Sequence, residues 1–187
     1  MTIDQAKLQA LLDKEDIREI LYRYCRACDR ADRALLESCY HPGAIEDHGA
    51  FFGDAADFAA NLVTNSARLY QRVNHMVGTI NIELDGDVAL SEAYVCAGGP
   101  LVAPAADGGT QVRVIYGRYI DRFEKRNGEW RIAQRIVVKD WTDVRTVHDP
   151  LEEYALSQYG FADPAYTRTS PRIEAGAPKQ NKLTPIK

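Results

Sequence analysis

The chain has 187 residues, 45% of them hydrophobic, with 27 acidic and 23 basic side chains for a net charge of −4. That length suits a single domain, the apolar share excludes wholesale disorder, and the charge balance excludes the basic surface of a dedicated nucleic-acid binder. No run of 18 apolar residues offers a membrane span, and residues 1–14 lack the apolar stretch of a signal peptide, so a soluble cytoplasmic protein is expected.

The first strong periodicity covers residues 14–29, where Ile17, Ile20, Leu21, Tyr24, Cys25 and Cys28 recur at three- and four-residue spacing. This is the pattern of an amphipathic helix. Asp13 is its expected N-cap, with a shorter helical piece over residues 3–12 before it. A further short helix over 33–39 stops at His41-Pro42-Gly43. Residues 44–48 read as a strand, and Asp54 opens a helix to about Arg72 with Phe58, Leu62 and Leu69 on its buried side. After Val73 the period changes to two. Residues 75–84 and 88–97 form a hairpin about Asp85-Gly86-Asp87, and 111–124 and 129–141 form another about Arg126-Asn127-Gly128. The Gly-, Ala- and Pro-rich stretch 98–109 reads as a long loop. A helical turn is expected over 151–159. Residues 161–187, rich in Pro, Thr and Lys, read as disordered or as laid over a neighbouring subunit. Helices followed by two antiparallel hairpins predict an α+β domain. A strongly curved sheet wrapped around a helix would leave a conical pocket for a small apolar ligand.

Several chemistries are missing from the sequence. There is no Gly-x-Gly-x-x-Gly after a strand, no Gly-x-x-x-x-Gly-Lys-Ser/Thr, no His-Glu-x-x-His and no Gly-x-Ser-x-Gly. No cofactor is therefore expected. Nor is a metal, because His41 belongs to a helix stop and Asp47 and His48, adjacent in a strand, point to opposite faces. Cys25 and Cys28 lie late in a helix, not at the N-terminus where a thiolate is stabilised. They read, with Cys39 and Cys96, as free packing residues.

What remains is a sparse set of titratable groups. Asp29 lies four, seven and eight residues beyond Cys25, Tyr22 and Leu21, on a largely apolar face. It either ends the helix in solvent beside Arg30 and Asp32, or sits where ionisation demands a partner. His75 opens a core strand. There it is either structural or a general base whose tautomer a carboxylate fixes. Arg135 alternates with Ile132, Gln134 and Ile136. It is either exposed or meets an anion inside a pocket.

Residues 16–24, then Cys28-Asp29-Arg30-Ala31-Asp32, resemble the opening helix of SnoaL-like proteins of the nuclear transport factor 2-like superfamily. The likeness continues through Tyr40-His41-Pro42-Gly43-Ala44 and His75-Met76-Val77-Gly78-Thr79-Ile80. It closes with Gly117-Arg118-Tyr119-Ile120-Asp121-Arg122-Phe123 and Gly128-Glu129-Trp130-Arg131-Ile132. The resemblance implies a cone-shaped α+β barrel over residues 1–145: N-terminal helices packed in a curved mixed, mainly antiparallel sheet. Residues 146–187 would be a C-terminal extension covering the pocket or a neighbour. Within that superfamily the pattern is similar to the branch holding lindane dehydrochlorinase, scytalone dehydratase, bile-acid 7α-dehydratase and the cofactor-free lyases of lignin-derived diarylpropanes.

That branch implies an Asp–His dyad, matched here by Asp29 and His75, with Tyr24 five residues before the Asp and Arg135 five after Trp130. The expected activity is a cofactor-independent elimination, a dehydration or deformylation, on a hydrophobic aromatic or polycyclic alcohol such as a lignin-derived dimer. Asp29 would orient His75 as base, Tyr24 would donate to a developing oxyanion, and Arg135 would stabilise negative charge. Phe51, Phe52, Leu62, Leu69, Tyr94, Tyr116 and Trp141 are the expected pocket walls. A homo-oligomer, dimer or trimer, is expected. The same fold also hosts isomerases, polyketide cyclases and non-catalytic accessory subunits.

Overall fold

Helix α1 runs without a break from Gln5 to Arg30, capped by Asp4, whose carboxylate accepts from the Ala6 and Lys7 amides. The computed structural model describes residues 4–148 and 156–168. Asp13 therefore lies inside α1 and does not start it. It is nearly buried, and its Oδ1 accepts from Trp130 Nε1 at 2.9 Å, Lys125 Nζ at 2.8 Å and Gln9 Nε2 at 3.2 Å. Aspartate is a capping type, so the sequence pattern misleads where the partners that bury it are over a hundred residues away. The buried stripe of α1 is Ile17, Ile20, Leu21, Tyr24, Cys25 and Cys28, as the periodicity predicts. Ala31, at φ 50°, ends the helix in the left-handed conformation, and its amide meets the carbonyls of Ala27 and Cys28.

After α2 (Arg33–Glu37) come β1 (Tyr40–Asp47), β2 (Phe52–Asp54) and α3 (Ala55–Leu69), then four long strands. These are β3 (Asn74–Asp85), β4 (Val88–Pro104), β5 (Thr110–Arg126) and β6 (Glu129–Val147). They form one six-stranded sheet in the order β2-β1-β6-β5-β4-β3. β1 and β6 are parallel, every other pair is antiparallel, and the sheet is open, with β2 and β3 at its edges. The expected mixed, mainly antiparallel α+β architecture is what forms.

Two strand boundaries differ from expectation. β1 starts at Tyr40, so His41-Pro42-Gly43 is absorbed into the strand, and the irregularity it imposes appears as a shifted register against β6 between Tyr40 and Ile45. The predicted loop 98–109 is mostly strand, since β4 continues to Pro104 and pairs with β5 beyond a shift at Pro100. Its glycines serve close approach. A Cβ on Gly98 would stand 2.1 Å from the Arg113 carbonyl oxygen, and one on Gly99 2.1 Å from that of Arg72. Further register shifts at Val77/Ile80, Tyr116/Gly117 and Arg122/Phe123 bend the long strands.

One face of the bent sheet packs against α1 and α3. The core there joins Ile17, Leu21 and Tyr24 of α1 to Leu36, Ala93, Tyr119, Phe123, Trp130 and Ile132. Beyond the sheet, a short 3-10 turn (Gly160–Ala162) and α4 (Pro164–Thr167) return to the C-terminal end of α1. Asp32 accepts from the Tyr166 hydroxyl at 2.7 Å, and Tyr159 donates to the Tyr70 carbonyl at 3.3 Å. Of the helical turn expected over 151–159, residues 156–159 are described and are not helical, helical structure starting only at Gly160; the rest of that turn and most of the extension lie outside the described residues. Among the described residues, no helix is long and apolar enough to cross a membrane.

Candidate active site

Asp29 occupies the last turn of α1 and His75 the second position of β3. His75 Nδ1 lies 2.7 Å from Asp29 Oδ1, and the two side chains are only 13% and 12% exposed. A carboxylate can only accept, so Nδ1–H is the donor, and the tautomer this selects for a neutral ring has its lone pair on Nε2. The structure brings these two expected residues into direct contact.

They open onto a cleft of about 320 Å³, near the lower end for small-molecule sites. Helix α1 lines it with Tyr22, Cys25, Arg26, Asp29 and Arg30, β3 with His75 and Val77, and the returning C-terminal segment with Ala165. Burial pushes the Cys25 thiol up to about 12, with the neighbouring Arg135 opposing. Cys25 is therefore a neutral wall and not a nucleophile. Cys28 and Cys39 are likewise raised by burial, and all four cysteines are free.

Tyr24 and Arg135 do not reach this cleft. Five residues separate Tyr24 from Asp29, about 140° around a helix at roughly 3.6 residues per turn, so Tyr24 points into the core. Its hydroxyl is buried without a hydrogen-bond partner, and burial raises its pKa well above the usual phenol value. Arg135 is fully buried too. Its Nε and Nη2 each donate to Asp121 at 2.7 Å, and its guanidinium lies between the rings of Tyr24 (4.0 Å) and Tyr119 (4.1 Å). The anion it demands is thus a protein carboxylate. Burial pushes Asp121 upward and the guanidinium opposes that push, in the two-bonded geometry of an ionised pair.

The expected pocket walls scatter as well. Phe51 tilts against Phe58, and Leu62 packs beside it on the core. Phe52 is 75% exposed, and Leu69 is exposed at the end of α3. Tyr94 alternates with the inward Ala93 and Val95, so it faces away from the helices. Trp141 pairs in register with Tyr116 and stacks on it, centroids 4.0 Å apart. None of the seven lines the dyad cleft. The residues that do were legible only in part: Tyr22 and Arg26 precede Asp29 by seven and three positions, which places them on one helix face. Ala165 has no such signal.

A second polar cluster lies within the core. Glu46, fully buried, accepts from Tyr40 Oη at 2.6 Å and pairs with His48 Nδ1 at 2.8 Å, while the His48 ring stacks on Phe58. His41 Nε2 donates to the Glu124 carbonyl at 2.7 Å. Among the described residues no group of three His, Cys, Asp or Glu side chains is arranged for a metal.

The SnoaL-like domain profile matches residues 9–136 of the chain. Among solved structures, hexachlorocyclohexane dehydrochlorinase LinA (type 2) superposes with a TM-score of 0.67 at 18% identity, over 78% of this chain and 99% of that one. A scytalone dehydratase-like protein of Novosphingobium aromaticivorans gives 0.64 at 16% identity, over 76% and 95%. A Mycobacterium tuberculosis protein of unknown function gives 0.58 at 22%, over 75% and 82%. At these identities the likeness shows the fold. Among curated protein sequences none matches the chain.

Proposed function

The chain belongs to the SnoaL-like family, and from that premise we propose that it is a cofactor-independent lyase whose base is the Asp29–His75 pair. The observation that carries this reading is the 2.7 Å hydrogen bond between His75 Nδ1 and Asp29 at the cleft, which favours the tautomer with its lone pair on Nε2. The neighbouring fold of a dehydrochlorinase and a scytalone dehydratase-like protein is consistent with elimination.

In a dehydration, Nε2 takes a proton from the carbon next to the carbinol carbon. The C–H electron pair becomes the new double bond, and the C–O bond breaks toward oxygen. The imidazolium, stabilised by Asp29, returns a proton to the leaving hydroxide, so alcohol becomes alkene plus water with no electrons unaccounted for. In a deformylation, a para-phenol first loses its benzylic hydroxyl as water to give a quinone methide, and Nε2 then takes the proton of a neighbouring hydroxymethyl group. The O–H electrons form formaldehyde's carbonyl, the quinone methide accepts the pair released by C–C cleavage to give an alkene and a phenolate, and the imidazolium returns its proton to that phenolate. A hydrophobic aromatic alcohol, such as a lignin-derived dimer, suits both. The phenol that lines the cleft is Tyr22, so the donor role expected of Tyr24 falls to Tyr22.

Mass-balanced product analysis tests the reaction class. Phenolic dimers, hydroxysteroids and polyketides incubated with the protein should lose water or formaldehyde. An isomer of unchanged mass would instead favour the isomerase or cyclase reading. Saturable binding without turnover would favour an accessory subunit.

We also propose that copies pair through the sheet face turned away from the helices. It exposes Met76 (59%), Tyr94 (52%) and the Tyr116–Trp141 stack, a patch of the kind that marks interfaces. Light scattering should report a dimer or trimer, and Trp141→Glu should shift it toward monomer.

A further inference from the structure

Two arginines one turn apart line the cleft, and their partners differ. Arg30 is committed to the C-terminal segment: its Nε lies 3.2 Å from Asp163 Oδ1, and its Nη1 donates to Ser157 Oγ at 2.7 Å and to the Asp29 carbonyl at 3.3 Å. Arg26 has no carboxylate partner among the described residues. Its contacts are one long hydrogen bond to the Ala165 carbonyl, 3.5 Å, and the face of the Tyr166 ring, 4.8 Å from its centroid. The carboxylates around it are engaged elsewhere. Asp29 accepts from His75, Asp163 meets Arg30, and Asp32 accepts from the Tyr166 hydroxyl. Arg26 is thus an exposed guanidinium resting on a ring and beside a carbonyl, with donors left over, on the wall that also carries Asp29 and His75.

Resting on the lyase reading above, we propose that the aromatic alcohol the protein acts on also carries a carboxylate, and that Arg26 receives that carboxylate while the ring lies toward Val77 and His75. Guanidinium donors form a planar fork that matches a carboxylate in two parallel hydrogen bonds. The Tyr166 ring beneath it restricts where that fork can lie, which lowers the entropy lost on binding. The cleft volume suits one ring and a short arm at the dyad. The rest of a larger substrate extends past the exposed side of Tyr22.

The test is binding, so it needs no turnover. The wild-type protein is titrated with 4-hydroxycinnamate, its methyl ester and 4-hydroxycinnamyl alcohol, following Tyr and Trp fluorescence. The acid should bind about three- to tenfold tighter than either neutral probe, a preference that weakens with added salt. Arg26→Gln should erase the preference and leave ester binding unchanged, Arg26→Lys should keep part of it, and Arg18→Gln, elsewhere on α1, should keep all of it. Equal binding of the three probes, no saturable binding of the acid at millimolar concentration, or a preference that survives Arg26→Gln overturns the proposal. The same titration on His75→Ala, set beside that variant's turnover in the product assay above, separates the two readings. A preference retained there, with turnover also retained, contradicts the dyad alone. A preference absent from wild type, with turnover lost in His75→Ala, contradicts only the role of Arg26.

Discussion

Arg30 and Asp163 join the last turn of α1 to the C-terminal segment, and through that contact the segment places Ala165 on the wall of the dyad cleft. Asp163 is 3% exposed and also accepts from the amides of Gln158 and Ala165, at 2.9 and 2.8 Å. Hydrogen bonds to a charged group are each worth about 1.5–3 kcal/mol. Asp163→Asn or Arg30→Gln is therefore expected to release residues 156–168 without unfolding the sheet. Hydrogen exchange should show faster exchange confined to that segment and to the end of α1. Exchange unchanged in both variants would mean the ion pair does not hold it.

Arg135 and Asp121 form a fully buried pair. Breaking it alone strands a charge in the core, so Arg135→Met should cost about 3–5 kcal/mol, whereas Arg135→Met combined with Asp121→Leu should recover most of the loss. Chemical denaturation measures both. Tyr24→Phe removes a hydroxyl that has no partner. It should leave stability unchanged or raise it by up to about 2 kcal/mol, with turnover intact. A large loss of turnover at constant stability would return Tyr24 to the reacting atoms.

Asp13 makes a pH-dependent contribution. Its three donors and the Lys125 charge outweigh burial and hold its carboxyl below the ordinary 3.8. A carboxylate lowered on folding stabilises the native state above its unfolded pKa, and that stability is lost as pH falls through the lowered folded value. Asp13→Asn should accordingly cost about 1.5–3 kcal/mol at neutral pH and flatten the fall of stability below about pH 4. Denaturation midpoints from pH 7 to 3 report it. An unchanged slope would remove Asp13 from acid unfolding.

The His75 tautomer is observable without a substrate. Nitrogen-15 spectra of the neutral imidazole should show the proton on Nδ1 and the lone pair on Nε2, and Asp29→Asn should disturb that preference. A ring protonated on Nε2 alone would contradict the drawn geometry.

The helices and hairpins were legible because their signals are local. Ile17, Leu21 and Tyr24 repeat at helical spacing, and Asp85-Gly86-Asp87 marks a tight turn. That Asp29 and His75 stand within hydrogen-bond distance was legible through resemblance and through the place of Asp29 at the end of an apolar face. Parity was the weak point. Tyr94 and Trp141 are aromatic, yet they stand on strand positions that face away from the helices. Arg135 looked like a substrate ligand because its partner Asp121 is fixed only by the pairing of β5 with β6, where the two residues stand opposite each other. Asp13 and the Gly98–Gly99 pair were misread for the same reason. Their partners are distant in sequence, and local chemistry resembled a cap and a loop.

The central claim is that His75, oriented by Asp29, is the base of an elimination. Turnover of a substrate identified by product analysis, compared between wild type, His75→Ala and Asp29→Asn at matched stability, tests it most directly. A general-base contribution predicts a fall in kcat of about 10²–10⁴-fold for His75→Ala, with binding of the substrate retained and a clear loss for Asp29→Asn. Near-normal turnover in both variants would contradict it.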